Sequence, residues 1–360
     1  MASRVADELS LAERKFVALN RFVGFLSLGV ALGLALILHA RSASAWGPDG
    51  HRTVAVIASR LLKGTNAERE VLAILGSVSL EDAAVWADCA KGVDPVDFEY
   101  KGAGRFPECA VFENPAGKAA MVDFVKRNAT NCHPKPGEEI CHKQYHYADI
   151  SIQHVDYKPT YVGARADDVT VAIASAIAVL QSKVPPSPFS FKDRREALLL
   201  LVHYLGDIHQ PLHVGAVYLD ASGKIVNPDA GHFAAATETK GGNLITVSQT
   251  SSGKSQNLHA TWDAIPDELT PARVNAAWLK KAEAVAGSSG PIAGWPSAWA
   301  SDTQKQADKA LAKLQFAAKS GSTWSTTLSN AYRESMHATQ KAQLTKAGAR
   351  LAQLLRRLWP

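Results

Sequence analysis

His203-Tyr-Leu-Gly-Asp-Ile-His-Gln-Pro-Leu-His213 is the stretch around which the chain is organised. It follows an apolar run, Ala197 to Val202, that reads as the middle of a buried helix. His203 and Asp207 stand four residues apart, which on a helix puts both side chains on one face, one turn above the other. Pro211 has no N–H and should end that helix. His213 then lies just past the break, where it can turn back toward the same point. An imidazole, a carboxylate and a second imidazole converging on one point look like a metal site, and zinc is the usual taker of His and Asp ligands. The competing reading is a polar patch on a buried helix, its histidines satisfied by backbone carbonyls.

A chain of 360 residues has room for one large domain or two ordinary ones. An apolar share of 46% supports a sizeable core, and 20% charged residues do not suggest disorder. Lys and Arg outnumber Asp and Glu by 39 to 34, a mild surplus that fits a polyanionic substrate without demanding one. No Lys/Arg-rich block marks a nucleic-acid-binding tail.

The first 45 residues read as a secretory signal. Arg14, Lys15 and Arg21 precede an apolar run from Phe22 to Leu38, and Arg41-Ser-Ala-Ser-Ala45 supplies the small residues of a cleavage site after Ala45. The apolar run is also long enough to serve as an uncleaved membrane anchor. After cleavage the mature chain starts at Trp46 and is expected in the periplasm or the medium. Four cysteines remain: Cys89, Cys109, Cys132 and Cys141. In an exported chain an even number reads as two disulfides. Three pairings are open, and Cys89–Cys109 with Cys132–Cys141 closes the shortest loops. No Cys-x-x-Cys suggests cysteine ligation of metal.

Along the mature chain, helices are expected from Arg52 to Leu62, Ala67 to Leu75, Leu80 to Ala87 and Lys118 to Asn128, with loop over 92–117 and between Asn131 and Glu139. Ala164 to Lys183 has apolar residues at three-and-four spacing, the stripe of a core-facing helix. Phe191 to Gln210 carries the central stretch. From Val214 to Val226 the pattern changes to a hairpin around Asp220-Ala-Ser-Gly223, and Gly241 to Val247 reads as a further strand. Helix resumes at Asn257–Asp263, Thr270–Ala286, Ser297–Ala317 and Ser325–Leu358. With no internal repeat, 46–360 reads as one mainly α domain with a small β-hairpin insertion.

Of the twelve histidines, those at 51, 146, 203, 213 and 259 fall in short motifs with an Asp or a turn nearby. His259 and Asp263 repeat the spacing of His203 and Asp207, and His146 lies three residues before Asp149. The motifs are Trp46 with His51 five residues on, Trp86-Ala-Asp88, Tyr145-His-Tyr-x-Asp149, the central stretch, Gly241-Gly-Asn243 and Asn257-Leu-His-x-x-Trp-Asp263. In type and order they resemble the secreted zinc-dependent nucleases of the S-one/P-one type, related in fold to the bacterial zinc phospholipase C. The resemblance runs from Trp46 to about Trp359.

That resemblance implies three zinc ions. Asp88, His146, His203 and Asp207 would hold the first, and His213, His259 and Asp263 the second. Trp46, His51 and Asp207 would hold the third, with Asp207 bridging and Trp46 ligating through its free α-amino nitrogen and carbonyl oxygen. With Ala45 still attached, that nitrogen is an amide and not an amine. Asp149 would orient or deprotonate the attacking water, or else act as a partner of His146. Lys91 would face the phosphate, or else be an ordinary solvated lysine. Asn243 is a candidate for shaping the substrate site, or only a turn residue. The implied activity is hydrolysis of single-stranded DNA and RNA to 5′-phosphorylated nucleotides, with 3′-nucleotidase activity in reach. A pocket that holds a base prefers unpaired strands. No stable protein partner is implied.

Two departures from the family stand out. Ala264 follows Asp263 where some members carry an Asn, which leaves base preference open. The segment from Ala216 to Lys240 is longer than in compact members and is a candidate lid. His232 within it reads as a surface residue. His209 points away from Asp207 and reads as structural, and His133, His142, His154 and His337 match no motif. Trp86 and Trp262 read as packing, and Arg356 and Arg357 as a solvated face. The rival enzymes are a zinc phospholipase C, which needs an apolar approach for lipid, and a zinc phosphomonoesterase. The rival of another class is a non-catalytic periplasmic zinc-binding protein, which has no need of Lys91 and Asp149 beside the ligands. All of these bind zinc, so turnover and not metal content separates them.

Overall fold

The computed structural model describes residues 46–135, 138–231, 233–248 and 255–360. The signal read over 1–45 and the surface reading of His232 lie outside them. The helices are Pro48–Leu62 (α1), Asn66–Leu75 (α2), Leu80–Ala83 (α3), Trp86–Ala90 (α4), Pro115–Arg127 (α5) and Cys141–Gln144 (α6), then Val169–Leu180 (α7), Arg194–Asp207 (α8), Leu258–Asp263 (α9), Ala276–Glu283 (α10), Trp295–Leu311 (α11) and Asn330–Leu358 (α12). The chain is mainly α, as the sequence suggests.

The centre is α8. Every residue from Glu196 to Asp207 is buried, because beyond Glu196 the sequence places no charge until Asp207 itself. A helix apolar all round must be enclosed by others. Helix α7 packs along it, and α1 to α4 and α12 complete the cover. The start of α8 is set by Asp193, whose side chain accepts the Glu196 N–H. Helix α12 lies against α1 at Gly348. A Cβ on Gly348 would stand 2.5 Å from Ile57 Cβ and 3.0 Å from the Val54 carbonyl oxygen, so glycine is what lets the two helices approach.

Several boundaries differ from those read in the sequence, each for a local reason. Helix α1 begins at Pro48 rather than Arg52, with proline in the first turn where its missing N–H costs nothing. That places His51 on the helix. The helix expected over Leu80–Ala87 is interrupted by a turn at Ala84 and Val85 and resumes as α4. Helix α7 starts five residues later than expected. Asp168 caps it, accepting the N–H groups of Thr170 and Val171. Asn275 likewise delays α10, accepting from Trp278 N–H. Ahead of α12, Trp324–Thr327 is a strand and not helix.

The strands are short. Ile150–Ser151 (β1) pairs in parallel with Gly215–Ala216 (β2). Tyr218–Leu219 (β3) and Ile225–Val226 (β4) form the expected hairpin, its turn closed by Asp220, whose carboxylate accepts from Ser222 and Lys224 N–H. Ile245–Ser248 (β5) lies between Gln256–Asn257 (β6) and Trp324–Thr327 (β7). The disulfides are Cys89–Cys109 and Cys132–Cys141, the shortest-loop pairing. Among the described residues, no helix is long and apolar enough to cross a membrane.

Alanine in a helix interior normally gains about 0.5–1 kcal/mol over glycine. Gly348→Ala should instead lower stability, because overpacking a tight contact costs about 1–3 kcal/mol. The urea midpoint measures this, and an unchanged or raised midpoint would contradict the contact.

Candidate metal centre

Five elements carry histidine and aspartate side chains to the place where α4 presents Asp88. The last turn of α8 presents His203 and Asp207. A 3-10 turn, Pro211–His213, follows at the proline and carries His213. The β1–β2 pairing then draws the segment 146–150 alongside: Ala148 N–H donates to the His213 carbonyl (2.8 Å) and Ile150 N–H to that of Val214 (2.9 Å). Helix α1 brings His51 against Gly206, where a Cβ would stand 2.6 Å from His51 Nδ1. Helix α9 presents His259 and Asp263 one turn apart.

Three groups of potential ligand atoms result, the atoms of each lying within 4.8 Å of one another. The first is Asp88, His146 and His203. His203 Nε2 is 3.1 Å from His146 Nδ1 and 3.6 Å from Asp88 Oδ1. Asp207 Oδ2 joins them, 2.9 Å from His146 Nδ1 and 3.2 Å from His203 Nε2. The second is His213, His259 and Asp263, with His213 and His259 Nε2 atoms 3.0 Å apart and Asp263 Oδ2 3.6 Å from His259 Nε2. The third is His51, His203 and Asp207, with Asp207 Oδ1 3.4 Å from His51 Nε2. Asp207 thus offers one oxygen to each of two groups. Trp46 is buried beside the third, its indole N–H donating to the Gly206 carbonyl (2.9 Å).

The arrangement fits cations. Donors around one tetrahedral zinc, bound at about 2.0–2.1 Å, stand roughly 3.3 Å apart, close to the spacings here. The tautomers point the same way. His203, His213 and His259 each place Nδ1 on a backbone carbonyl, of Ala84, His146 and Gly241, at 2.7–2.8 Å. A carbonyl only accepts, so Nδ1 holds a proton, and in the neutral ring Nε2 is then bare. With both rings neutral, two Nε2 lone pairs face each other 3.0 Å apart in His213 and His259, a repulsion that a cation between them, metal ion or proton, relieves. Both ring nitrogens of His51, Asp207 Oδ1 and Asp263 Oδ2 are buried and carry no hydrogen bond.

Protonation agrees with this. Burial, then the His203 charge, pushes His51 down to about 4, and burial, then His213, pushes His259 down to about 3. Both imidazoles are therefore neutral near pH 7, as a ligand must be. Burial opposes ionisation of Asp88, yet Lys91 and His203 outweigh it and hold the carboxyl well below its usual range. Asp263 goes the other way. Burial, with Asp88 and Asp207 nearby, pushes it up despite Gln210, a shift that an added positive charge opposes.

Other expected residues lie close by. Lys91 is 12% exposed, with Nζ 2.7 Å from Asp88 Oδ1, so it is no ordinary solvated lysine. Asp149 is half-buried, its Oδ1 enclosed and unpartnered, and desolvation, then Glu238, pushes it up to about 7. It stands near Gly241, where a Cβ would be 3.3 Å from its Oδ1, whereas His146 Nδ1 faces Asp207. Asn243 is engaged within the protein: its amide donates to the Lys240 carbonyl and its oxygen accepts from Asn257, the cap of α9. His209 is structural, with Nδ1 on the Leu205 carbonyl and Nε2 accepting from Arg350. Trp86 and Trp262 are buried and pack.

Sequence reasoning missed three glutamines. Gln210 donates to Asp263 Oδ1 (2.8 Å) and accepts the Leu212 N–H, turning the other Asp263 oxygen inward. Its place between His209 and Pro211 was the available signal. On α12, Gln340 donates to the Trp262 and Ala264 carbonyls and Gln343 to that of His209. They brace both ends of the ligand-bearing segments.

Because Asp207 serves two groups, Asp207→Ala should empty both, while Asp263→Ala empties one. Metal counted per folded chain by plasma mass spectrometry, after circular dichroism confirms folding, tests this. Equal losses would contradict the shared carboxylate.

The sequence matches a family model described as S1/P1 Nuclease over residues 112–359. That span holds His146, His203, Asp207, His213, His259 and Asp263, while Trp46, His51, Asp88 and Lys91 precede it and join the site through the fold. The chain is also similar to Nuclease P1 of Penicillium citrinum and Nuclease PA3 of a Penicillium species, 28% identical to each over 228 residues. These matches cover 62% of this chain and 59% of each relative. With the family model matched over well more than half of its residues, the chain belongs to the S1/P1 nuclease family.

Proposed function

We propose that this protein is a zinc-dependent phosphodiesterase that cuts single-stranded DNA and RNA to 5′-phosphorylated nucleotides, with 3′-nucleotidase activity at the same site. The observation that carries this is the set of three His/Asp groups, two of them sharing Asp207, with the Nε2 atoms of His213 and His259 facing one another in the third. The all-His/Asp donor set favours zinc, and three ions would take the three groups. Trp46 would complete the third site through its backbone nitrogen and oxygen. Bound zinc would acidify water and offset charge on phosphate oxygens.

The chain's own groups take the remaining roles. Asp149, whose enclosed Oδ1 has no partner, accepts the proton of the attacking water. Lys91, poised on Asp88, faces the charge that builds on the phosphate. Paired bases hide their edges and faces, so a site that grips a base selects unpaired strands. Two disulfides favour an oxidising compartment, the periplasm or the medium.

Release of nucleotides from single-stranded DNA by protein starting at Trp46 tests the reading. Chelation should abolish release and zinc restore it. A preparation that holds its zinc yet releases nothing would remove the nuclease reading. Asp149→Asn should keep its zinc and lose about 10²–10⁴-fold in turnover, the usual contribution of a general base. Unchanged turnover would exclude that role. Protein retaining Ala45 should bind one zinc fewer than protein starting at Trp46, as counted by mass spectrometry. Equal counts would rule out the Trp46 amine as a ligand.

A further inference from the structure

The insertion from Ala216 to Lys240 brings two side chains beside Asp149 that the metal centre does not use. After β4 the insertion folds back over β3, where Glu238 pairs with Tyr218 in an antiparallel bridge. Tyr218 is buried, and its hydroxyl donates to the Asp149 carbonyl (2.7 Å). Phe233 packs edge-to-face on the Tyr218 ring, centroids 6.1 Å apart at 80°, and remains 43% exposed. An open aromatic face therefore stands one ring away from the segment that carries Asp149.

Lys240 ends the insertion on a tightly held turn. Thr239 before it is buried, its hydroxyl on the Val217 carbonyl and its own carbonyl accepting from Gly242 and Leu244 N–H. The Lys240 carbonyl accepts both the N–H and the side-chain amide of Asn243. Lys240 has φ of +51°, with Gly241 at +56° and Gly242 at +87°. Glycine or asparagine would occupy the first position at less cost. What lysine adds there is an exposed ammonium, bound in no ion pair among the described residues. The next residue, Gly241, lies against Asp149, and the Lys240 charge acts on both Asp149 and Glu238.

We propose that Phe233 and Lys240 form a nucleotide subsite on the insertion, Phe233 stacking on the base next to the nucleotide being cut and Lys240 taking the intervening backbone phosphate. An aromatic face with a neighbouring cation is how proteins hold single strands without reading sequence. The subsite rests on the nuclease reading above and favours chains over single nucleotides.

The test is steady-state kinetics of the zinc-loaded protein on a single-stranded thymidylate oligonucleotide at several salt concentrations. Phe233→Ala should raise KM roughly 5- to 150-fold, the measured range for loss of one base stack, with kcat and zinc content unchanged. Phe233→Trp should restore KM. Lys240→Asn should raise KM and flatten the slope of log KM against log salt by about 0.7, one phosphate contact on a single strand. Its melting temperature should be no lower than the parent's, since asparagine accepts the left-handed backbone. If the parent turns over and the variants match it in KM and salt slope, the subsite is overturned. If the zinc-loaded parent releases nothing from the oligonucleotide, the nuclease reading fails and takes the subsite with it.

Discussion

Asp207 is the constraint on which the structure depends. It is a carboxylate buried at the end of a helix with no solvent on any side, and burying such a charge unpaired is prohibitive. Its two oxygens are placed in two different groups of donors. The nearest imidazoles cannot all neutralise it as cations, since burial holds His51 and His146 neutral. Beyond Lys91 and His203, the centre is a set of negative and lone-pair atoms in a space too dry to screen them. Metal ions are the simplest way to balance it.

The surrounding fold supplies orientation. Histidine rings are aimed by carbonyls from the loop after α3, from the segment before β1 and from the glycine turn before β5. Asp263 is aimed by Gln210. These hydrogen bonds fix both the tautomer and the direction of each lone pair, which the ligand residues alone do not do. Glycine answers want of space at several points, among them Gly206 against His51 and Gly348 where α12 meets α1.

The ligand spacing was legible in the sequence because a helix converts four residues into one turn. Both His-x-x-x-Asp pairs lie on helices, the first of which ends at Asp207, ahead of Pro211, where a 3-10 turn begins. The hairpin around Asp220 and the disulfide pairing were legible for similar reasons, being local in the chain. What was hidden is non-local or small. Strands of two residues, such as β1 and β2, are too short to show a period, yet they bring His146 to His213. Gln340 and Gln343 resemble any polar residues of a long helix, and only packing shows that they face inward. Caps such as Asp168 compete with an apolar pattern that runs past them, so the pattern placed the helix start too early.

The bracing by α12 has a consequence for the order in which the protein is made. The last ligand in sequence is Asp263, but the carbonyls of His209, Trp262 and Ala264 are held by residues of the final helix, which also covers the helix bearing His51. A ribosome that has just released Asp263 has produced every donor and not yet the frame that aligns them. Alignment waits for α12, so the donors take their final arrangement only once that helix is made and packed. A cation that meets them earlier meets them unaligned.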